Sequence, residues 1–97
     1  GNCGVYEGTW VRKGAVLGAG TILTRSMQLY DLVNGRIIRA NEEMPLTVPE
    51  NAVVVPGARS VRKGIAAEWN IALYTPVIVK YRDSKTDTKI QLEHLLR

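Results

Sequence analysis

At 97 residues the chain has room for one domain, and its 45% hydrophobic and 23% charged residues are those of an ordinary globular protein. A single cysteine, Cys3, excludes an internal disulfide and lacks a metal-ligand partner at suitable spacing; no metal site is expected, and no apolar run is long enough to span a bilayer. The net charge of +4 is scattered, with no basic helical stripe or aromatic platform, which argues against nucleic acid and suits an anionic small molecule or a phosphorylated cofactor. With no signal-peptide pattern, a cytoplasmic location is expected.

From Val5 to Tyr30 the chain falls into sixes: VYEGTW, VRKGAV, LGAGTI, LTRSMQ, then LY. The leading position is aliphatic throughout (Val5, Val11, Leu17, Leu23, Leu29). The fourth is small (Gly8, Gly14, Gly20, Ser26), and the fifth is Thr9, Ala15 and Thr21 until Met27 breaks the rule. Neither a helical period of 3.6 nor simple alternation gives this pattern. Short strands joined by tight turns do: each strand sends one aliphatic residue inward and each turn uses a residue tolerant of unusual dihedrals. The predicted fold is therefore all-β, a parallel β-helix of hexapeptide repeats over residues 1–30. Cys3 is expected as a small buried residue near a corner. Trp10, Val16 and Ile22 in the sixth position give an apolar outer face. Either a neighbouring subunit or the chain's own C-terminal tail would cover Trp10.

Residues 31–47 leave the repeat. LYDLVNGRIIR reads as a hairpin around Asn34-Gly35, the dipeptide suited to a type I′ two-residue turn, followed by an irregular stretch to Pro45. An excursion carried by a rigid scaffold is a natural place for function. The sixes resume over residues 48–59 as VPENAV and VVPGAR, with Pro49 and Pro56 expected at corners or edges. The C-terminal region, residues 60–97, follows: Arg59 to Asn70 (RSVRKGIAAEWN) reads as a basic segment without period, then come a β run Ile71 to Tyr81 that Pro76 makes an edge strand or two short ones, a polar turn, and a short helix from Lys89 to Arg97. The chain has no initiator methionine and enters the repeat at once. Because a solenoid needs about three stacked repeats to close its core, this reads as the C-terminal part of a longer protein or a chain completed by others.

The repeat, the Asn-Gly hairpin, the return VPENAVVVPGARS and the ending LYTPVIVKYRDSKTDTKIQLEHLLR together resemble the C-terminal part of bacterial 2,3,4,5-tetrahydropyridine-2,6-dicarboxylate N-succinyltransferases. The most specific parts are V-x-E-G at Val5 to Gly8, the Tyr30-Asp31 after the last hexad, V-V-V-x-G at Val53 to Gly57, and the ending at Val77 to Lys80 with Glu93 to Arg97. The resemblance implies a left-handed parallel β-helix with three hexads per coil, assembled as a homotrimer with sites shared between subunits. It implies succinyl-CoA as co-substrate, and transfer of its succinyl group to the amino group of acyclic tetrahydrodipicolinate, a small dicarboxylate on the route to diaminopimelate and lysine.

Acyl transfer to an amine needs a base, donors for the thioester oxyanion and a clamp for the reactants. The lone histidine, His94, sits among leucines of the terminal helix as a solvated residue. The resemblance points instead to Glu7 as the catalytic carboxylate. The better-known branch carries a second carboxylate where this chain has Gly4, so either Glu7 bears more of the task or the base lies in a coil outside this sequence. Small residues let a cofactor approach backbone amides, which nominates Gly18, Ala19, Gly20, Gly57 and Ala58. Arg59, Arg62 and Lys63 form a basic loop suited to the adenosine phosphates. Asp31 and Arg36 bracket the hairpin, suited either to a dicarboxylate substrate or to holding the turn. The competing readings are another acyltransferase on the same scaffold and a non-catalytic solenoid that scaffolds an oligomer.

Overall fold

A computed structural model describes residues 3–83. Among these it is mostly β, with one short helix. The strands are β1 (Gly4–Val5), β2 (Thr9–Val11), β3 (Val16–Leu17), β4 (Ile22–Leu23), β5 (Leu29–Asp31), β6 (Arg36–Ile38), β7 (Leu46–Val48), β8 (Ala52–Ser60) and β9 (Ala72–Tyr81), with α1 (Gly64–Glu68) between the last two. The terminal helix expected from Lys89 onward lies outside the described residues.

The hexads decide how the short strands stack. β1 pairs in parallel with β4 in the register Gly4↔Ile22 and Val5↔Leu23, a step of eighteen residues, or three sixes. β2 pairs in parallel with β7 (Thr9↔Leu46) and β3 with β8 (Val16↔Val53), each step lengthened by the excursion between them. Two tiers result: β1, β2 and β3 below, β4, β7 and β8 above. The aliphatic leading positions fill the space between. Leu23, Leu29, Leu46, Val48, Ala52, Val54 and Ile78 are buried, with Val11, Ala15 and Leu17 packed against them. Burial is concentrated in the upper tier, because β8 is there covered by β9 and β9 in turn by β5. Val5, at the start of the lower tier, is exposed, and so is Cys3, against the expectation of a small buried residue.

The fourth-position glycines form the corners. Gly8 has φ +86°, and a Cβ there would lie 2.8 Å from Cβ of Arg25, so the corner at 7–8 stacks directly against the corner at 25–26. A side chain would meet both the left-handed penalty and a collision with a backbone-proximal carbon. Gly8→Ala is expected to destabilise the fold by about 2 kcal/mol in urea unfolding; a change under about 0.5 kcal/mol would show that the corner relaxes freely.

The excursion differs from the sequence expectation in its turn. β5 and β6 pair antiparallel in the register Leu29↔Ile38, Tyr30↔Ile37, Asp31↔Arg36, leaving a four-residue loop, 32–35, in place of a two-residue Asn-Gly turn. Gly35 alone in this loop has positive φ, +64°, whereas a type I′ turn needs both central residues there. The Asp31 carboxylate explains the wider loop. Its Oδ1 accepts from the amides of Val33 and Asn34, an Asx-type turn that pulls the chain around an anion.

β9 is also corrected. The run containing Pro76 is one continuous strand in the sheet order β3-β8-β9-β5-β6, interior and not an edge. Pro56, expected at a corner or edge, also falls within a strand, β8, and pairs with Pro76. Opposed residues in an antiparallel ladder alternate between exchanging two hydrogen bonds and exchanging none. Two prolines face each other without loss at a position of the second kind. The amide of Gly18 donates to the carbonyl of Val54 at 2.7 Å, so Val54 turns its polar groups toward β3 and Pro56, two residues on, turns the same way, past the end of β3.

At β4 the upper tier is capped by one hydroxyl. Gly4 and Tyr6 donate to the carbonyls of Thr21 and Leu23, so the polar groups of Ile22 between them face the opposite way, where a further tier would add. The Tyr74 hydroxyl takes both, accepting from Ile22 N at 2.7 Å and donating to Ile22 O at 2.8 Å. Tyr74→Phe should therefore lower stability by about 1–2 kcal/mol in urea unfolding, and an unchanged midpoint would mean that water satisfies Ile22 equally well.

Candidate functional site

The predicted site residues fall at four places. Glu7 lies in the exposed turn between β1 and β2, at a corner and not on a strand face. Through the contact of Gly8 with Arg25, that corner stacks under residues 25–26 of the tier above. Gly18, Ala19 and Gly20 form a different corner, between β3 and β4, running alongside β8. A Cβ on Gly18 would lie 3.3 Å from the Val54 carbonyl oxygen, and one on Gly20 would lie 3.6 Å from Pro56 Cγ. This close approach is what the small residues permit. The Gly18 amide is already committed to Val54 O, which leaves the Ala19 and Gly20 amides as the donors that corner can offer.

Gly57 and Ala58 are not corner residues but sit inside β8, opposite Thr75 and Tyr74. With Pro56↔Pro76 a pair that exchanges no bonds, Gly57↔Thr75 is one that exchanges two. The polar groups of Gly57 are then used by β9, and those of Ala58 face the edge beside the Gly18–Gly20 corner.

The basic cluster is split by the fold. Arg59 is a strand residue of β8, paired with Leu73, and not part of the loop. Arg62 and Lys63 follow in the connection that leads to α1. α1 is a single turn whose N-cap, Lys63, makes no side-chain cap bond. Its end is reversed by Asn70 at φ +56°, with Ile71 N donating to Ala66 O. Trp69 on this connection is 67% exposed.

Asp31 and Arg36 meet, and the geometry favours the turn-holding role. Asp31 is 1% exposed. Besides the two loop amides, its Oδ2 accepts from Asn34 Nδ2 at 2.9 Å, Arg36 Nε at 2.9 Å and the Tyr81 hydroxyl at 2.6 Å. Arg36 also donates through a terminal nitrogen to the Tyr81 hydroxyl at 3.2 Å. Burial alone would raise the Asp31 pKa. The hydrogen bonds from Tyr81, Asn34 and Arg36 outweigh it and hold the carboxyl well below the usual carboxylate range. Burial is also the main reason that the Tyr81 hydroxyl is pushed up, reinforced by its bond to Asp31. Tyr81 is a partner that sequence reasoning missed; it lies fifty residues away, and only the β5–β9 pairing brings it to Asp31.

Trp10 is exposed, with the Arg12 guanidinium 5.0 Å from its ring centroid and Arg12 in turn 3.9 Å from Glu50. No group of histidine, cysteine and carboxylate side chains able to hold a metal occurs among the described residues, and none of their helices is long and apolar enough to cross a membrane.

Taken together, parallel strand pairs at a three-hexad step, glycine corners pressed against a neighbouring strand and an exposed carboxylate in V-x-E-G define a mostly β chain of hexapeptide type. No family model matches it. The 2,3,4,5-tetrahydropyridine-2,6-dicarboxylate N-succinyltransferase of Blochmanniella pennsylvanica is 36% identical over 93 residues, covering 96% of this chain and 30% of that protein. Those of Brucella ovis and Brucella melitensis biotype 2 are also 36% identical over 93 residues, covering 31% of their length. The chain is a homologue of one segment of these succinyltransferases, and it spans about 30% of the length of the curated relatives it matches.

Proposed function

We propose that the chain is part of an N-succinyltransferase that moves the succinyl group of succinyl-CoA to the amino group of acyclic tetrahydrodipicolinate, in diaminopimelate and lysine biosynthesis in the cytoplasm. In this reading the two tiers are coils of a left-handed parallel β-helix with the hairpin and the β8–β9 ribbon as its additions, and the protein works as a homotrimer. The observation that carries it is 36% identity sustained over 93 residues to proteins of that name. The eighteen-residue parallel register supports the helix, since three hexads per coil require that step.

The chemistry assigns roles to residues already placed. The acceptor amine attacks the thioester carbonyl, a C–N bond forms, the C–S bond breaks and the thiolate of CoA leaves with the proton taken from the amine. Glu7, exposed at its corner, is the group to take that proton or hold the ammonium. The Ala19, Gly20 and Ala58 amides are the donors for the thioester oxygen or the pantetheine amides, beside Gly18 and Gly57, whose lack of side chain lets the cofactor approach. Arg59, Arg62 and Lys63 supply positive charge for its phosphates. Asp31 and Arg36 shape the hairpin that would border the acceptor. Glu7 and the Gly18–Gly20 run lie at different corners of one chain, which is the reason a site shared between copies is part of the proposal.

The test is thiol release by the native polypeptide that carries these residues, with succinyl-CoA or acetyl-CoA as donor and 2-aminopimelate as acceptor. Acceptor-dependent release with succinyl-CoA, at least tenfold faster than with acetyl-CoA, is the expected result. Release only with acetyl-CoA would place the protein among other acyltransferases on this scaffold. No release with either donor, and no CoA binding, would leave a scaffolding role.

A further inference from the structure

The splitting of the basic cluster leaves Arg59 apart from Arg62 and Lys63, and the fold gives it surroundings of its own. Arg59 shares a pocket of about 220 Å³ with Ser26, Met27, Gln28, Tyr74 and Thr75. The walls are held in place. Tyr74 is pinned by both polar groups of Ile22, the Thr75 hydroxyl donates to the Gln28 carbonyl at 3.2 Å, and Tyr30 donates to the Gln28 side-chain oxygen at 2.8 Å. That last bond occupies the oxygen of the Gln28 amide and leaves its nitrogen as the donor. With the Ser26 hydroxyl, which can accept from Thr24 Oγ1 at 3.2 Å and donate into the space, and the five N–H groups of the guanidinium, donors outnumber acceptors, and among the described residues no carboxylate lines the space. The volume is several times the roughly 30 Å³ share of a water molecule.

We propose that this pocket is a binding subsite for an oxyanion, a carboxylate or phosphate group received by the Arg59 fork with Ser26 and Gln28 as flanking donors. Paired N–H groups on a planar guanidinium match two oxygens of either anion. The position adds meaning: residues 25–26 stack over the corner that carries Glu7, so the subsite lies one tier above the proposed reacting centre. That the oxyanion belongs to an acyl donor or its acceptor rests on the acyltransferase reading; the subsite itself rests on the pocket. The hexad pattern marks the place, because Met27 breaks the fifth-position rule in the stretch that forms the pocket wall.

Backbone amide NMR of the native polypeptide, titrated with succinate and separately with inorganic phosphate, tests it. Saturable shifts at Ser26, Gln28 and Thr75 are expected, with affinity at least tenfold weaker in Arg59→Gln and partly retained in Arg59→Lys. Arg59 is exposed, so both variants should keep the wild-type spectrum elsewhere; should Arg59→Gln not fold, Gln28→Ala takes its place with the same expected weakening. Preference for succinate identifies a carboxylate source. Preference for phosphate, with coenzyme A tighter than its 3′-dephospho form, identifies a phosphate source. Shifts that never saturate, or that saturate equally in Arg59→Gln, overturn the subsite. Coenzyme A bound equally by wild type and Arg59→Gln, with neither small anion binding, removes the subsite and keeps the acyl-CoA reading. Saturable anion binding with no coenzyme A binding does the reverse.

Discussion

Replacing Asp31 by alanine should cost about 3 kcal/mol of stability, the largest loss expected from any single side chain of the hairpin. The carboxylate is buried and receives five donors: the Val33 and Asn34 amides, Asn34 Nδ2, Arg36 Nε and the Tyr81 hydroxyl. Removing it leaves the Val33 and Asn34 amides, the Asn34 side-chain amide, Arg36 Nε and the Tyr81 hydroxyl proton without this acceptor, and unmade bonds to buried groups cost more than made ones contribute. Arg36→Ala should cost only about 1 kcal/mol, because the Arg36 side chain is half exposed and water replaces its part. Urea unfolding of the two variants checks the order; equal losses would make the pair, and not the carboxylate, the organising unit. The network also sets an acid limit. Asp31 is held below its ordinary range when folded, so its contribution is complete above the unfolded-chain value of about 4 and is lost as pH falls from there toward the lower folded value. Wild type should therefore lose stability below about pH 4 more steeply than Asp31→Asn.

Glu7→Gln is expected to lower acceptor-dependent thiol release by about 10²–10⁴-fold, the range associated with a positioned general base. The glutamine keeps the size and much of the hydrogen bonding of the side chain, and the exposed corner places no structural demand on its charge, so the unfolding midpoint should not move. A fall in kcat with KM for succinyl-CoA unchanged would place Glu7 on the proton. A rise in KM for the acceptor alone would make it a positioning residue. Full activity in the variant would move the base to another part of the protein.

The corners of this chain were legible because they are local. Gly8, Gly14 and Gly20 recur every six residues with positive φ, and a turn of that conformation announces itself within a few positions of sequence. The parallel step followed from the same period, and the excursion was visible as the place where it stops. The turn inside the excursion departs from its sequence signal, because Asn34-Gly35 acts locally and the competing anion, Asp31, exerts its hold only once buried. For a similar reason Pro56 by itself points to a corner or edge, and Pro76 to an edge strand or two short ones. Each alone argues against an interior strand, and only their mutual pairing removes the objection.

By itself the sequence determined the repeat, its aliphatic core positions, the glycine corners and the likeness to a segment of the succinyltransferases, all of which depend on residues near one another or on order along the chain. The tertiary structure alone decided that Tyr74 closes the tier at Ile22, that Tyr81 completes the Asp31 network, and that Arg59 leaves the other basic residues to face Ser26 and Gln28. These partners lie roughly thirty to fifty residues apart, and no period connects them. They meet because β9 folds back on β8 and then receives β5, and the pairing of long strands is settled by backbone hydrogen bonds that carry no trace in side-chain spacing.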